Sequence, residues 1–320
     1  MKQFSYLTAD SFEAASKALT DSGNAVVKAA GTDLLDLLKE RIVEPDEVVN
    51  LLRVEQASGT GVVSALATLA DVAADTAIAE DYPALHKSAA VAATPAVRNF
   101  ATVGGNLCQH TRCWYFRNES FPCFKRGSAI CPPLEKGGQN RYNAVFSHER
   151  CASAHPSNLA PALIALGAKV RCVHPEGGRT LSVEELYREP RNGRIGDTVL
   201  RKGELIRSVH LEPSALTRNS TYLEFRERHS FDFALVSVAA AVRLEGSKVA
   251  EARIVLGAVA PIPYRAKQAE QALTGKALNA ETAQAAAEAA LAGAQPLSQN
   301  AYKVPIAKTL IRRALMELSS

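Results

Sequence analysis

Residues 112–151 constrain this chain more than any other stretch. They hold Cys113, Cys123, Cys131 and Cys151, together with Pro122, Pro132, Pro133, several glycines and several aromatic residues. No helical or strand period runs through them. Such a segment lacks an amphipathic face to bury, so something other than a periodic apolar core has to order it. Four thiolates around one centre suit either Zn²⁺ or an iron–sulfur cluster. The spacings are C-x9-C, C-x7-C and C-x19-C. They contain no short zinc knuckle, and wide spacing fits a larger cluster whose ligands arrive from separate loops. Arg112, Lys125 and Arg126 lie close by in sequence and would offset the charge of a thiolate-ligated cluster. Spacing alone leaves zinc, disulfides and unconnected buried thiols open. Cys108 and Cys172 read more simply as small buried hydrophobes, with Cys108 a weaker alternative ligand.

Composition narrows the function classes. The 320 residues allow two domains or three small ones. The net charge of +4 comes without a long Lys/Arg run, so nucleic acid is not the implied partner. No stretch of 18 apolar residues is present, which argues against a membrane span. Residues 1–6 carry neither an apolar export core nor a twin-arginine pair. The expected location is the cytoplasm, or the periplasm by co-export with a signal-bearing partner. Without an export signal, clustered thiols read as metal ligands before disulfides.

The rest of the chain is periodic. Asp10 and Ser11 offer an N-cap for a helix over 12–19. A strand over 25–29, a small-residue turn, a helix over 34–39 and a strand over 47–51 follow. Residues 65–92 are Ala-rich and helical in pattern. A helix over 159–166 closes at Gly167, and strands are expected at 168–173 and 205–211. Pro213 and the polar run 217–220 mark a domain boundary. Beyond it, strands over 221–227, 235–243 and 250–257 precede helices over 282–291 and 303–318.

Two loops carry candidate ligand chemistry. Lys28, Ala29, Ala30, Gly31, Thr32, Asp33 and Leu34 join a strand to a helix, where backbone N–H groups can approach a phosphate. Thr102, Val103, Gly104, Gly105 and Asn106 form a second such loop, its glycines read as permitting positive φ and close approach. Each alone is equally readable as a tight turn. Arg226, Arg228, His229 and Asp232 form a charged group before the strand at 235 that reads as a solvated strand end. His155 reads as a base or as a hydrogen-bonding core residue. No Ser-His-Asp order, H-E-x-x-H motif or convincing carboxylate pair is present.

Taken together, these pieces resemble the flavin subunits of the molybdenum hydroxylases (the xanthine oxidase family) over nearly the whole chain. Gly31-Thr32-Asp33 match the first flavin loop, with Ala30 in place of its first glycine. Arg98-Asn99 and Ala101-Thr102-Val103-Gly104-Gly105-Asn106 match the second. The resemblance continues to 257–266. It implies an α+β fold. Two N-terminal α/β subdomains over 1–214, with an insert at 112–151, share an extended FAD. A C-terminal domain over 218–320 carries a three-stranded antiparallel sheet with helices. It places Thr111, Ser157 and Asn158 near the cofactor, with Asn158 where the family has an acid. Ile206 takes the position that packs on the isoalloxazine. Glu224 stands where the family often has a lysine near the flavin's redox end. A four-cysteine insert looks like two branches that hold a [4Fe–4S] cluster in this subunit. Of these, three-subunit bacterial aldehyde oxidoreductases look closer than 4-hydroxybenzoyl-CoA reductases. The resemblance makes Cys113, Cys123, Cys131 and Cys151 the ligands. It implies a small subunit with [2Fe–2S] clusters, a large molybdenum-cofactor subunit and an external electron acceptor. A metal-stabilised assembly subunit without redox activity is the reading from a different class.

Overall fold

The structure is a computed structural model that describes residues 1–229 and 231–319. Its strands are β1 (Ser5–Thr8), β2 (Ala25–Lys28), β3 (Glu47–Asn50), β4 (Val62–Ser64), β5 (Lys169–Val173), β6 (Arg179–Ser182), β7 (Leu205–His210), β8 (Ser220–Phe225), β9 (Val236–Glu245), β10 (Lys248–Gly257) and β11 (Tyr264–Arg265). They form three sheets, so the chain is α+β as the sequence implies.

The first sheet has the order β1-β3-β2 and is parallel throughout. Ser11 caps the helix Phe12–Asp21, its Oγ accepting from Ala14 N–H at 3.0 Å. That helix buries Phe12, Ala15 and Leu19 against Val49 and Leu51. β1 escapes the sequence pattern because it is an edge strand with mostly exposed residues. The second sheet, β4-β7-β5-β6, is antiparallel. Short helices cover it. Pro83 and Pro95 stand in the first turns of two of them, where a missing N–H costs nothing.

The helix Leu159–Ala165 is buried at every residue and packs on both β9 and β10. Close approach is built in at Gly257: a Cβ there would lie 2.2 Å from Ser237 Oγ and 2.9 Å from Pro161 Cγ. The third sheet, β11-β10-β9-β8, is antiparallel. It contains the three expected long strands plus the two-residue β11, which is too short and too close to Pro261 and Pro263 to show a period. Helices Lys267–Leu273, Ala280–Leu291 and Lys303–Glu317 pack beside it, their small Ala faces allowing close contact. Among the described residues no helix is long and apolar enough to cross a membrane.

The cysteine segment contains only two 3₁₀ turns, Phe124–Arg126 and Pro132–Leu134. It is nevertheless anchored by apolar side chains that periodicity could not reveal. Phe116 and Val145 are fully buried, and Phe146 stacks on Tyr264 at 4.1 Å. Its two halves hold to different parts of the molecule. The first half contacts the 31–40 loop and helix through Arg112 and Arg117, and contacts Asp197 through buried Lys125. The second half is tied to the C-terminal unit. Asn300 Nδ2 donates to the carbonyls of Asn143 and Ala144, and Val145 and Phe146 N–H both donate to Val259 O. Lys303 Nζ donates to Tyr142 O at 3.1 Å and Ala258 O at 2.7 Å.

Candidate cofactor site

A cavity of about 520 Å³ lies between the first and second sheets. Lys28 to Leu34 form one wall, Thr102, Gly104 and Gly105 another, and Ile206 of β7 closes it. The fold thus brings together two loops that are some seventy residues apart in sequence.

The first loop turns at Gly31, whose φ is +87°. Ala30 is not among the positive-φ residues, so the methyl that replaces the family's first glycine meets no backbone penalty. Thr32 is exposed on the loop. The second loop works differently from the expectation. Gly104 and Gly105 do not have positive φ; they sit in the first turn of the helix Val103–Cys108. Their smallness is used instead. A Cβ on Gly104 would sit 3.0 Å from Ala65 Cβ, and one on Gly105 would sit 2.9 Å from Thr102 Oγ1. Thr102 caps this turn, Oγ1 accepting from Gly105 N–H at 3.2 Å.

Asn106 and Ser157 stand behind the cavity wall. Asn106 Oδ1 accepts from Ser157 Oγ at 2.6 Å and from Leu159 N–H at 3.3 Å, so it clasps the second loop to the buried helix. Ser157 Oγ in turn accepts from Ala160 N–H at 3.0 Å. Asn158 Nδ2 donates to Glu224 Oε2 at 2.7 Å, and Tyr222 Oη donates to the same oxygen at 2.9 Å. Arg226 Nε lies 2.9 Å from Glu224 Oε1. Burial raises the Glu224 pKa, and Arg226, Tyr222 and Asn158 oppose that rise. The family pattern of acid at 158 and lysine at 224 is therefore replaced by Asn and Glu in direct contact. Two departures that look unrelated in sequence are hydrogen-bonded to each other. Thr111 is buried, its Oγ1 bonded to Ala154 O at 3.1 Å, and it borders a second cavity rather than the first.

Asp33 turns out to be an anchor. His110 Nδ1 lies 2.8 Å from Oδ2, and Arg112 Nη2 and Arg117 Nη2 lie 3.0 and 2.5 Å from Oδ1. Burial opposes ionisation, but the His110 hydrogen bond and the Arg117 and Arg112 charges outweigh it and hold the carboxyl well below its usual range. Residues 195–205, which line the cavity opposite the loops, were not singled out by sequence beyond Ile206. Gly203 (φ +76°) was the available signal, since any side chain there would strike Thr20 and Ser16. His155 is buried against Tyr187, ring centroids 4.7 Å apart, and burial lowers its pKa to about 3. It is a neutral imidazole at physiological pH, with no base function implied.

None of the six cysteines is disulfide-bonded. Cys131 and Cys151 are buried side by side, the Cys131 thiol donating to Cys151 Sγ, which lowers the Cys151 pKa from its ordinary value. Cys113 is close enough to both to feel their charge. Cys123 packs in an apolar group with Phe116 and Cys113. Among the described residues no three His, Cys, Asp or Glu side chains gather tightly enough to hold a metal ion. Cys172 lies in β5 within the main apolar core, as expected of a packed thiol, and Cys108 packs against that core.

The cavity thus lies between two small-residue segments at the junction of a parallel and an antiparallel sheet, with a third, antiparallel sheet alongside. Residues 2–213 match the FAD binding domain in molybdopterin dehydrogenase, and residues 220–318 match the CO dehydrogenase flavoprotein C-terminal domain. The chain belongs to the molybdopterin dehydrogenase FAD-binding family and is an FAD-binding oxidoreductase subunit. It is 35% identical to the aldehyde oxidoreductase FAD-binding subunit PaoB of Escherichia coli, over 99% of this chain and 98% of that one. It is 24% identical to the glyceraldehyde dehydrogenase medium chain of Sulfolobus acidocaldarius, over 99% of each. Quinoline 2-oxidoreductase from Pseudomonas putida 86 superposes with a TM-score of 0.75 at 26% identity, covering 100% of this chain and 98% of that one. Carbon monoxide dehydrogenase from Hydrogenophaga pseudoflava shares the fold, with a TM-score of 0.76 at 24% identity over 99% and 97%.

Proposed function

We propose that this chain is the FAD subunit of a three-subunit, molybdenum-dependent aldehyde oxidoreductase, and that it carries a [4Fe–4S] cluster on Cys113, Cys123, Cys131 and Cys151. The observation that carries the first part is the single cavity walled by both glycine loops and closed by Ile206. Lys28 to Leu34, Thr102 and Gly105 would hold the cofactor's phosphates and ribityl chain there. Asn106 and Ser157 would set the wall and Ile206 would pack on the ring, with Asn158 and Glu224 acting from behind that wall; Thr111 faces the second cavity instead. Bound FAD supplies the redox chemistry, accepting electrons and passing them on. The protein's part is to orient the ring, exclude water through Leu34 and Ile206, and fix the charge around it through the Asn158–Glu224–Arg226 group.

The cluster reading rests on the donor set. Three of the four thiols are buried, and three sense each other's charge. Backbone N–H groups of Tyr115 and Phe116 bond to Cys113 sulfur, that of Ala152 to Cys131, and that of Ser153 to Cys151. The ammonium of Lys125, 1% exposed, adds a buried positive charge that Cys151 feels. Sulfur atoms surrounded by N–H donors and a buried cation suit an anionic, thiolate-ligated cluster.

A small [2Fe–2S] subunit would deliver electrons from a large molybdenum subunit, and an external acceptor would remove them. The 35% identity to an aldehyde oxidoreductase subunit supports aldehydes as the substrate class. The test is anaerobic addition of an aldehyde to the assembled complex. Bleaching of the flavin absorbance supports the reading. Bleaching by no aldehyde, with flavin present, overturns the substrate class. A flavin-free complex overturns the cofactor assignment and leaves the assembly-subunit reading.

A further inference from the structure

A second cavity, about 410 Å³ in volume, opens between the cysteine segment and the turn that joins β8 to β9. It has its own walls, but His155 borders both this cavity and the glycine-loop cavity. One aromatic pair and one cation–π contact shape it. Trp114 meets Tyr142 edge-on at 5.3 Å, and Phe233 lies 4.7 Å beneath the guanidinium of Arg112. Such flat faces suit a planar ligand.

Charge narrows the ligand further. Three arginines line the cavity, and each already has a carboxylate: Arg112 has Asp33 and Asp36, Arg141 has Glu227, and Arg228 has Asp232. An anion would have to displace these partners, whereas a neutral molecule would not. Two buried nitrogens of lining residues lack any hydrogen-bond partner among the described residues, Nδ1 of His155 and Nε of Arg112. Buried polar atoms without partners are uncommon and point to a group that supplies them. A neutral planar molecule with oxygen acceptors at its edge meets each of these conditions.

We propose that this cavity receives the external electron acceptor, a small neutral quinone that lies in the angle between the Trp114 and Tyr142 rings and accepts hydrogen bonds from His155 and Arg112. The proposal rests on the reading that FAD fills the neighbouring cavity. In the reaction the quinone gains two electrons and two protons and becomes a hydroquinone. Both electrons and both protons come from the two-electron-reduced flavin, which returns to its oxidised form, so the exchange balances.

Trp114 is the only tryptophan in the chain, so its fluorescence reports directly on this cavity. The experiment titrates the FAD-loaded chain with a neutral naphthoquinone and with its sulfonated, anionic counterpart. Saturable quenching by the neutral form, weakened about tenfold in Tyr142→Ala and in Phe233→Ala, is expected. Phe233 is 44% exposed, so its truncation leaves the fold intact and keeps the test decisive. Unsaturable quenching that is equal in all three proteins, or tighter binding of the anionic quinone, would overturn the proposal. Flavin absorbance of the same samples reports the cofactor reading separately.

Discussion

Replacing Asp33 by Asn tests whether the flavin loop and the cysteine segment are locked together. The carboxylate faces His110, Arg112 and Arg117 at 2.5–3.0 Å, and its side chain is 14% exposed. Removing the anion leaves three donors around a neutral amide. Arg112 and Arg117 keep longer contacts to Asp36 at 3.5 Å and Glu40 at 3.7 Å, which soften the loss. Breaking a buried pair of this kind costs about 3–5 kcal/mol. Arg117→Ala removes one donor while His110 and Arg112 remain, so about 1.5–3 kcal/mol is expected. At about 2–4 °C per kcal/mol, Asp33→Asn should lower the melting temperature by roughly 6–20 °C. The pH dependence follows from the lowered Asp33 pKa. A depressed carboxyl stabilises the fold above its unfolded value of 3.8 and loses that contribution as pH falls through the folded value. The gap between wild type and Asp33→Asn should therefore persist above the ordinary carboxylate range and close only in stronger acid. Urea or thermal unfolding of the flavin-free chain measures it. A cost below about 1 kcal/mol for Asp33→Asn would refute the anchor argument.

Three further perturbations separate the parts of the account. Thr32→Ala changes an exposed residue, so FAD retention should fall about tenfold or more with unfolding unchanged. Asn106→Ala should lower both, because it also releases Ser157 and Leu159; equal behaviour of the two variants in a flavin-release and melting assay would contradict this. Lys303 is fully buried, and burial lowers its pKa to about 7 from 10.5. The unfolded chain then binds more protons between those values, so stability should rise as pH goes from about 7 toward 10. Lys303→Met should remove that slope, which denaturant melts across the range will show. Cys131→Ser should lose iron and raise hydrogen exchange in the stretch around 127–139, whereas Cys172→Ser should keep its iron. Iron retained in the first and lost in the second would invalidate the ligand set.

Where a single element dominated its neighbourhood, the fold could be read before the structure was known. The helix at 12–21 carries its own amphipathic period, while the helix at 159–165 and the C-terminal strands show as apolar runs bounded by turn residues. β1, β4 and β11 do not, because edge position or a length of two to four residues leaves too little alternation to detect. The first glycine segment was legible as a turn, which Gly31 makes at a φ of +87°, whereas the second opens the helix Val103–Cys108. Gly104 and Gly105 looked like φ-permissive residues but serve as contact points against Ala65 and Thr102, a distinction that depends on a long-range neighbour. For the same reason Asn158 and Glu224 read as separate departures from the family until the fold put them 2.7 Å apart. The cysteine segment was read as coreless. Its anchors Phe116, Val145 and Phe146 find their pockets in distant elements, which no local pattern encodes.

The most direct test of the central claim is the cofactor stoichiometry of the purified chain or complex. Flavin absorbance, iron and acid-labile sulfide are measured per polypeptide on the same sample, with zinc as the competing metal. The account predicts about one FAD, with about four irons and four sulfides beyond those of the small subunit. Stoichiometric zinc without extra iron or sulfide would contradict the cluster, and a flavin-free protein would contradict the account at its root.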